Sequence, residues 1–346
     1  MTVRMPDDPL GEALLALTTG TWVSQAIGVA ARLGVADALA RGPRTAADAA
    51  ASLDADPPAL HRLLRALADV GLLKDDGDGR FALTPLGDLL RTEAPGSLRG
   101  WAEMLGSAFH RSAWSALETS VRTGEPAFPR AHGRGLYDHL RDRPSDRAVF
   151  GAAMVSVTGR FLAPAVAACD FAPASTVVDV GGGRGAVVAA VLDAHPGVRG
   201  VLFDMPQVIA AAPAGLAGRC RLVSGDFFRS VPEGGDTYLL CNVLLDWDDD
   251  RAARVLGNCR RAMNPGGRVL IGEAVPVGEA DRSDRPTPAP WIDLEMLVMT
   301  DGGRQRTRPE YERLLDRAGL RLTGVPARGA AFAVLEARPA DRPVED

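Results

Sequence analysis

The chain is short of most features that would commit it to a metal, a disulfide framework, a membrane or a nucleic acid. Its 346 residues include only four cysteines, Cys169, Cys220, Cys241 and Cys259, with no CxxC spacing and no histidine cluster beside them. Such scatter excludes a zinc ribbon or a disulfide scaffold, and predicts buried reduced thiols and no metal site. Lys74 is the only lysine, arginine supplies the other basic side chains, and the net charge is −5. An acidic balance argues against nucleic acid as the main partner. No run of consecutive apolar residues approaches the roughly 18 that suggest a membrane span. The opening MTVRMPDDPL has no basic region leading into an apolar core, so a signal peptide is not expected. A cytoplasmic enzyme without a membrane partner is the expectation.

What is present is an ordinary globular composition, 46% hydrophobic and 24% charged, on a chain long enough for two well-buried cores. Apolar side chains recur at helical spacing through LLALTTGTWVSQAIGVAARLGVADALA. Thr45 is placed to cap one short helix, and Asp56-Pro57 opens a second that runs to Gly71. A hairpin then turns through Asp76-Gly77-Asp78-Gly79. Helix, helix, hairpin is a winged-helix order. Residues 98–165 read as further helices and hold most of the histidines and aromatics. After Pro173 β-rich runs appear at TVVDV, GVLFD, DTYLLCNVL, RVLIGEAV and FAVLEA, the earlier ones separated by helical segments. That alternation predicts a doubly wound, mostly parallel sheet in an α/β fold. The expected divisions are 1–97, a winged-helix domain; 98–165, a helical linker; and 166–346, a Rossmann-like domain. The polar, proline-rich stretch 277–290 reads as an exposed loop.

The first strand ends in Asp179-Val-Gly-Gly-Gly-Arg-Gly185 before the helix AVVAAVLDAHPG. Glycines there let backbone approach a ligand closely. A dehydrogenase would use a similar loop, and Gly181, Gly183 and Ala186 even fit GxGxxA. Asp204 ends the second strand in VLFDMP, where a carboxylate suits ribose hydroxyls. Asp226-Phe227 follows the third in VSGDFF, where a carboxylate and a ring suit adenine. A Met263-Asn-Pro-Gly-Gly267 turn precedes RVLIGEAV.

With DVGGGRG, VLFDMP, GDFF, NVLLDWDDDRAARVL and DLEMLVMTDGGRQRT in this order, the chain resembles the class I S-adenosylmethionine methyltransferases. More narrowly, it is similar to bacterial natural-product O-methyltransferases, including anthracycline-type enzymes, and to plant phenylpropanoid O-methyltransferases. The resemblance covers nearly the whole chain. It implies S-adenosyl-L-methionine as cofactor, S-adenosyl-L-homocysteine as product, and an aromatic small-molecule acceptor. It also implies a homodimer through the N-terminal domain. By the resemblance Asp179, Gly181 and Gly183 lie near the methionine part of the cofactor and Asp204 holds the ribose. Asp226 and Phe227 flank the adenine, with Trp247 nearby. Met205, Cys241, Asn242, Met154 and Thr158 fall on the same cofactor side.

In this family the segment after the fourth strand usually reads L-H-D-W, with the histidine as base for the acceptor hydroxyl. Here it reads Val243-Leu244-Leu245-Asp246-Trp247, so the base position is Leu245. Of the two carboxylates that orient that histidine, the resemblance retains one as Glu273. The other, after the glycine pair 302–303, is replaced by Gln305. A positioned base contributes about 10²–10⁴ in rate, whereas proximity reaches effective molarities of about 10⁵–10⁸ M. Methylation of an acidic aromatic hydroxyl without a protein base is therefore the expectation. The alternative is a related scaffold repurposed for hydroxylation, decarboxylation or a pericyclic reaction.

Asp246 is placed either to hydrogen-bond the acceptor or to cap the following helix. His110, His132 and His139 lie in the segment that lines the family's acceptor pocket, where one could replace the base. Packing is the ordinary role for each. Trp101, Phe109, Trp114 and Tyr137 are candidate aromatic walls, and Met296 and Met299 match the pocket wall or simple core. A winged-helix transcription regulator is the rival from another class. Its would-be recognition helix is mainly apolar, whereas DNA contacts call for clustered basic charge.

Overall fold

The computed structural model describes residues 8–173, 175–275, 289–329 and 332–340. Most of the polar stretch 277–290 lies outside these; only 289 and 290 are described, opening a helix, Ala289–Met299. The chain divides into two compact units, residues 1–111 and 112–346. The expected helical linker 98–165 is thus not a unit of its own. Its first helix, Arg99–Leu105, packs on Pro9–Leu33 because two glycines meet there. A Cβ on Gly28 would lie 2.8 Å from the Gly106 Cα. Only paired glycines permit that approach.

In the first unit Asp8 caps the helix Pro9–Leu33 by accepting from the Gly11 N–H at 3.0 Å. Gly34, at φ 79°, ends it. Thr45 and Asp48 form a capping box on Ala46–Leu53, and Asp56 caps Pro57–Asp69. Strands β1 (Arg44–Thr45), β2 (Leu73–Asp75) and β3 (Arg80–Leu83) make a small sheet in the order β1-β3-β2. This is the winged-helix arrangement. Leu10, Leu14, Leu15, Leu17 and Trp22 leave an apolar stripe on the first helix more than 60% exposed.

The second unit is built on a seven-stranded sheet. Its strands are β4 (Thr176–Val180), β5 (Arg199–Asp204), β6 (Cys220–Ser224), β7 (Gly235–Cys241), β8 (Met263–Glu273), β9 (Leu320–Arg328) and β10 (Ala333–Pro339). The order is β6-β5-β4-β7-β8-β10-β9, parallel from β6 to β8, with β10 antiparallel to both its neighbours. Val178, Val180, Leu239, Leu240, Leu270 and Ile271 are fully buried, as expected where helices cover both faces of a parallel sheet. This is the Rossmann-like class I methyltransferase fold. Two details differ from the sequence reading. The Asn-Pro-Gly-Gly segment is drawn into β8, because Met263 pairs with Gly235. And β9, whose Gly and Pro hide the alternation, is an added edge strand.

The helix Pro144–Val157 continues through one π turn, Thr158–Leu162, into Ala163–Ala167. By length and composition this stretch and Pro9–Leu33 are both apolar enough to cross a membrane. No unbroken apolar run shows this, because the property is one of mean hydropathy over the helix. Scattered Ser, Thr and Gly break the runs while leaving the mean high.

Candidate active site

The glycine loop between β4 and the helix Ala186–Ala194 works through backbone that only glycine adopts easily. Gly181, Gly183 and Gly185 all have φ between 60° and 83°. A Cβ on Gly181 would strike Val243 Cγ2 at 2.9 Å, while the space beside Gly183 is open. Below the loop Asp179 is fully buried. Its Oδ2 accepts from the Val188 N–H at 3.2 Å, and its Oδ1 has no partner among the described residues. Burial, with the nearby Asp204 charge, pushes its carboxyl up to about 7. Asp204, at the end of β5, accepts from the N–H groups of Gly183 (2.8 Å) and Met205 (2.7 Å). Burial raises its carboxyl too. The loop and the β5 carboxylate are thereby one piece.

Past β6, Asp226 accepts from the Phe228 N–H at 2.9 Å. Phe227 and Phe228 both pack edge-on to Trp247, with centroids 6.1 and 4.8 Å away. Past β7, Asn242 holds φ 54°, a left-handed conformation uncommon outside glycine. Its side-chain amide donates to Thr158 Oγ1 at 3.2 Å, so the π turn meets the β7 loop here. Cys241 is buried with its thiol pushed well up, an inert packed group. Met154 is half-buried one helical turn before Thr158.

Leu245 ends in a short 3₁₀ turn, Leu244–Asp246, and is 4% exposed. Glu273 does not stand beside its side chain as an orienting carboxylate would. Its Oε1 instead accepts the N–H groups of Val243 (3.2 Å), Leu244 (2.6 Å) and Leu245 (3.1 Å). Its other oxygen takes the Tyr311 hydroxyl. Glu273 therefore clamps backbone. Gln305 is buried; its N–H donates to Asp293 Oδ1 at 2.8 Å and its side-chain nitrogen has no partner among the described residues.

Sequence reasoning missed Arg306. This fully buried guanidinium donates to the carbonyls of Leu244 (2.8 Å) and Trp247 (2.6 Å) and to Asp249 (2.9 Å). The Arg304 N–H adds a bond to the Leu245 carbonyl at 2.8 Å. A cation three residues past a glycine pair gives no sequence signal of that burial. Tyr311 was missed for the same reason, since it sits in a plainly amphipathic helix, Arg308–Arg317.

Asp246 does not cap the helix Asp249–Ala262; Asp248 does, accepting from the Arg251 N–H at 2.8 Å. Asp246 instead receives the Tyr137 hydroxyl. The Tyr137 ring stacks on Trp247 at 5.2 Å and 23°. Burial pushes the Asp246 carboxyl up to about 7, against the lowering effect of the tyrosine bond. The Trp114 indole donates to Glu295, and Met296 and Met299 are buried on the same helix. His132 and His139 form a cluster of their own. Their rings lie 4.7 Å apart, with Ser112 on one and Asp146 on the other. Trp101, half-buried, and Phe109 and His110, buried, belong to the first unit.

Residues 114–321 match the model of the O-methyltransferase domain, and residues 15–93 that of the O-methyltransferase dimerisation domain. The chain belongs to the O-methyltransferase family. It is an S-adenosylmethionine-dependent enzyme of the natural-product type. The phenazine O-methyltransferase PhzM of Lysobacter antibioticus is 40% identical, covering 96% of this chain and 97% of that one. The O-demethylpuromycin-O-methyltransferase of Streptomyces alboniger is 41% identical over 95% and 89%. An N-methylating relative, the 8-amino-8-demethylriboflavin N,N-dimethyltransferase of Streptomyces davaonensis, is also 41% identical, over 89% of each. Among solved structures LaPhzM superposes with a TM-score of 0.88 at 40% identity, covering 96% of this chain and 100% of that one. NcsB1 from neocarzinostatin biosynthesis, solved with S-adenosylmethionine and 2-hydroxy-5-methyl naphthoic acid, gives 0.72 at 35% identity over 92% and 96%.

Proposed function

We propose that this O-methyltransferase methylates an acidic aromatic hydroxyl of a polyketide or similar natural product, chiefly by proximity. The observation that carries the reading is Leu245. A buried aliphatic side chain occupies the family's base position, on a turn whose backbone is pinned from both sides. When bound, S-adenosylmethionine supplies a methyl group already activated on a sulfonium. Asp179, with an unpartnered buried oxygen, and the open Gly183 backbone fit the charged methionine end of such a group. Asp204 would hold the ribose, and Phe227, Asp226 and Trp247 would enclose the adenine. Tyr137, Trp114, Met296 and Met299 would wall the acceptor.

An ordinary phenol with pKa near 10 is only about one part in a thousand ionised at neutral pH. An electron-poor phenol or hydroxyquinone ionises far more readily and asks little of the protein. The exposed apolar stripe on the first helix, inside a dimerisation domain, supports a homodimer. A monomeric mass by light scattering would overturn it. A cytoplasmic site of action agrees with the same reading.

The test is S-adenosylhomocysteine formation, with mass spectrometry of the acceptor, across hydroxylated aromatics graded by hydroxyl pKa. The wild type should turn over the acidic members. If nothing reacts until Leu245→His is introduced, the reading fails. Cofactor that binds but is never consumed points to the repurposed scaffold.

A further inference from the structure

We infer that Asp246 receives the proton of the acceptor hydroxyl, with Tyr137 as its positioning residue. This rests on the methyl-transfer reading above and deepens it. Asp246 follows Leu245 directly, so its carboxylate is rooted one residue from the family's base position. The turn that carries it is held by Glu273 through three N–H groups and by Arg306 through the carbonyls of Leu244 and Trp247. A carboxylate on such a turn is fixed in place before any acceptor arrives.

The fold makes no other use of this carboxylate. Asp248 already caps the following helix. Asp246 Oδ2 takes the Tyr137 hydroxyl, and that ring is in turn set by stacking on Trp247. Oδ1 has no partner among the described residues, yet it is not one of the enclosed, unpartnered buried atoms. One oxygen is therefore anchored and the other is open, which is the division of labour a proton acceptor needs.

The groups around it fix the direction of its titration. Glu295, on the helix Ala289–Met299, and Glu273, on β8, face it with negative charge, and Tyr137 donates to it. The nearby cations are engaged elsewhere, Arg304 with Asp249 and Glu310, and Arg306 with Asp249 and backbone. Burial and two like charges thus outweigh one hydrogen bond and hold the carboxyl up at about 7. A base of that strength is matched to hydroxyls of comparable acidity. In the step itself the hydroxyl oxygen forms the new O–CH₃ bond as the S–CH₃ bond breaks. The O–H proton passes to Asp246 Oδ1, the sulfonium becomes a neutral thioether, and charge is conserved.

The experiment compares wild type, Asp246→Asn, Asp246→Glu and Tyr137→Phe over pH 5.5–9. Hydroxyanthraquinones of graded pKa, whose absorption reports ionisation, serve as acceptors. Binding of S-adenosylhomocysteine to each variant separates misfolding from loss of function, and should stay within about threefold of wild type. Wild-type kcat should rise along a limb near pH 7. Asp246→Asn should lose that limb and about 10² in kcat, with KM moving far less, and Asp246→Glu should restore part of both. Tyr137→Phe removes the bond that favours the charged carboxylate, so its limb should move to higher pH. With S-adenosylhomocysteine bound, wild type should hold more of a weakly acidic hydroxyanthraquinone in its ionised colour than Asp246→Asn does. An Asp246→Asn enzyme that keeps wild-type kcat and pH limb overturns this inference alone. Absence of wild-type turnover across the whole series removes the reading beneath it.

Discussion

Glu273 Oε1 lies 3.1 Å from the backbone nitrogen of Leu245 and holds that residue by its main chain. The same oxygen accepts two further N–H groups, so truncation to alanine strands three buried donors at once. Orphaned donors cost about 1–3 kcal/mol each before relaxation. Glu273→Ala should therefore lower stability by several kcal/mol, read from the urea midpoint. Glu273→Gln keeps an acceptor oxygen and should cost about 1 kcal/mol. With one of the two like charges that face Asp246 removed, its rate–pH limb should move to lower pH. An unmoved limb would show that Glu273 acts on the backbone of the turn alone.

Arg306 closes the turn from the other side. Arg306→Met keeps much of the apolar stem but leaves the Leu244 and Trp247 carbonyls without their donor. Asp249 is 40% exposed and retains Arg304, so the lost charge pair matters less than the carbonyls. The expected cost is about 2–4 kcal/mol, measured by chemical denaturation. Because Trp247 and the Asp246 turn loosen together, affinity for S-adenosylhomocysteine should fall as well. Unchanged stability would show that water replaces the guanidinium.

Asp179 gives the protein without cofactor a pH signature. Its folded carboxyl sits near 7, above an ordinary value of about 3.9. The native state holds this proton more tightly than the unfolded chain. The resulting stability is complete below about pH 4 and is lost as pH rises through about 7. Between pH 5.5 and 8 wild type should lose about 2 kcal/mol more than Asp179→Asn, whose remaining slope comes from other raised carboxyls such as Asp246. On the proposed reading, in which Asp179 lies at the charged methionine end of the cofactor, the ionised carboxylate is the binding form and wild-type affinity should weaken below pH 7. Isothermal titration at several pH values checks both signs.

The parts legible in the sequence are those where chemistry and backbone coincide. Gly181, Gly183 and Gly185 announce positive φ and close approach, and all three lie in that conformation. Thr45 and Asp56 announce helix starts, and both cap. Long-range contacts were not legible. Nothing local says that Glu273 turns to backbone rather than to a side chain. Nor does anything local say that Arg306 buries while Arg304, two residues earlier, stays 40% exposed. Asp246 was half readable: its position suggested a role at the acceptor or a helix cap, and only the fold brought Tyr137 to it across 109 residues of chain. The edge strand Leu320–Arg328 escaped because its pattern of burial is irregular.

Leu245 is fastened at its nitrogen by Glu273 and at its carbonyl by Arg304, and neither tie involves its side chain. The seat of the family's base is thus independent of what sits in it. Exchanging that one side chain can give or withdraw an imidazole while the surrounding turn keeps its shape. An enzyme lineage built on such a position can switch between supplying a base and relying on the acidity of its substrate in a single mutational step, without first passing through an unfolded intermediate.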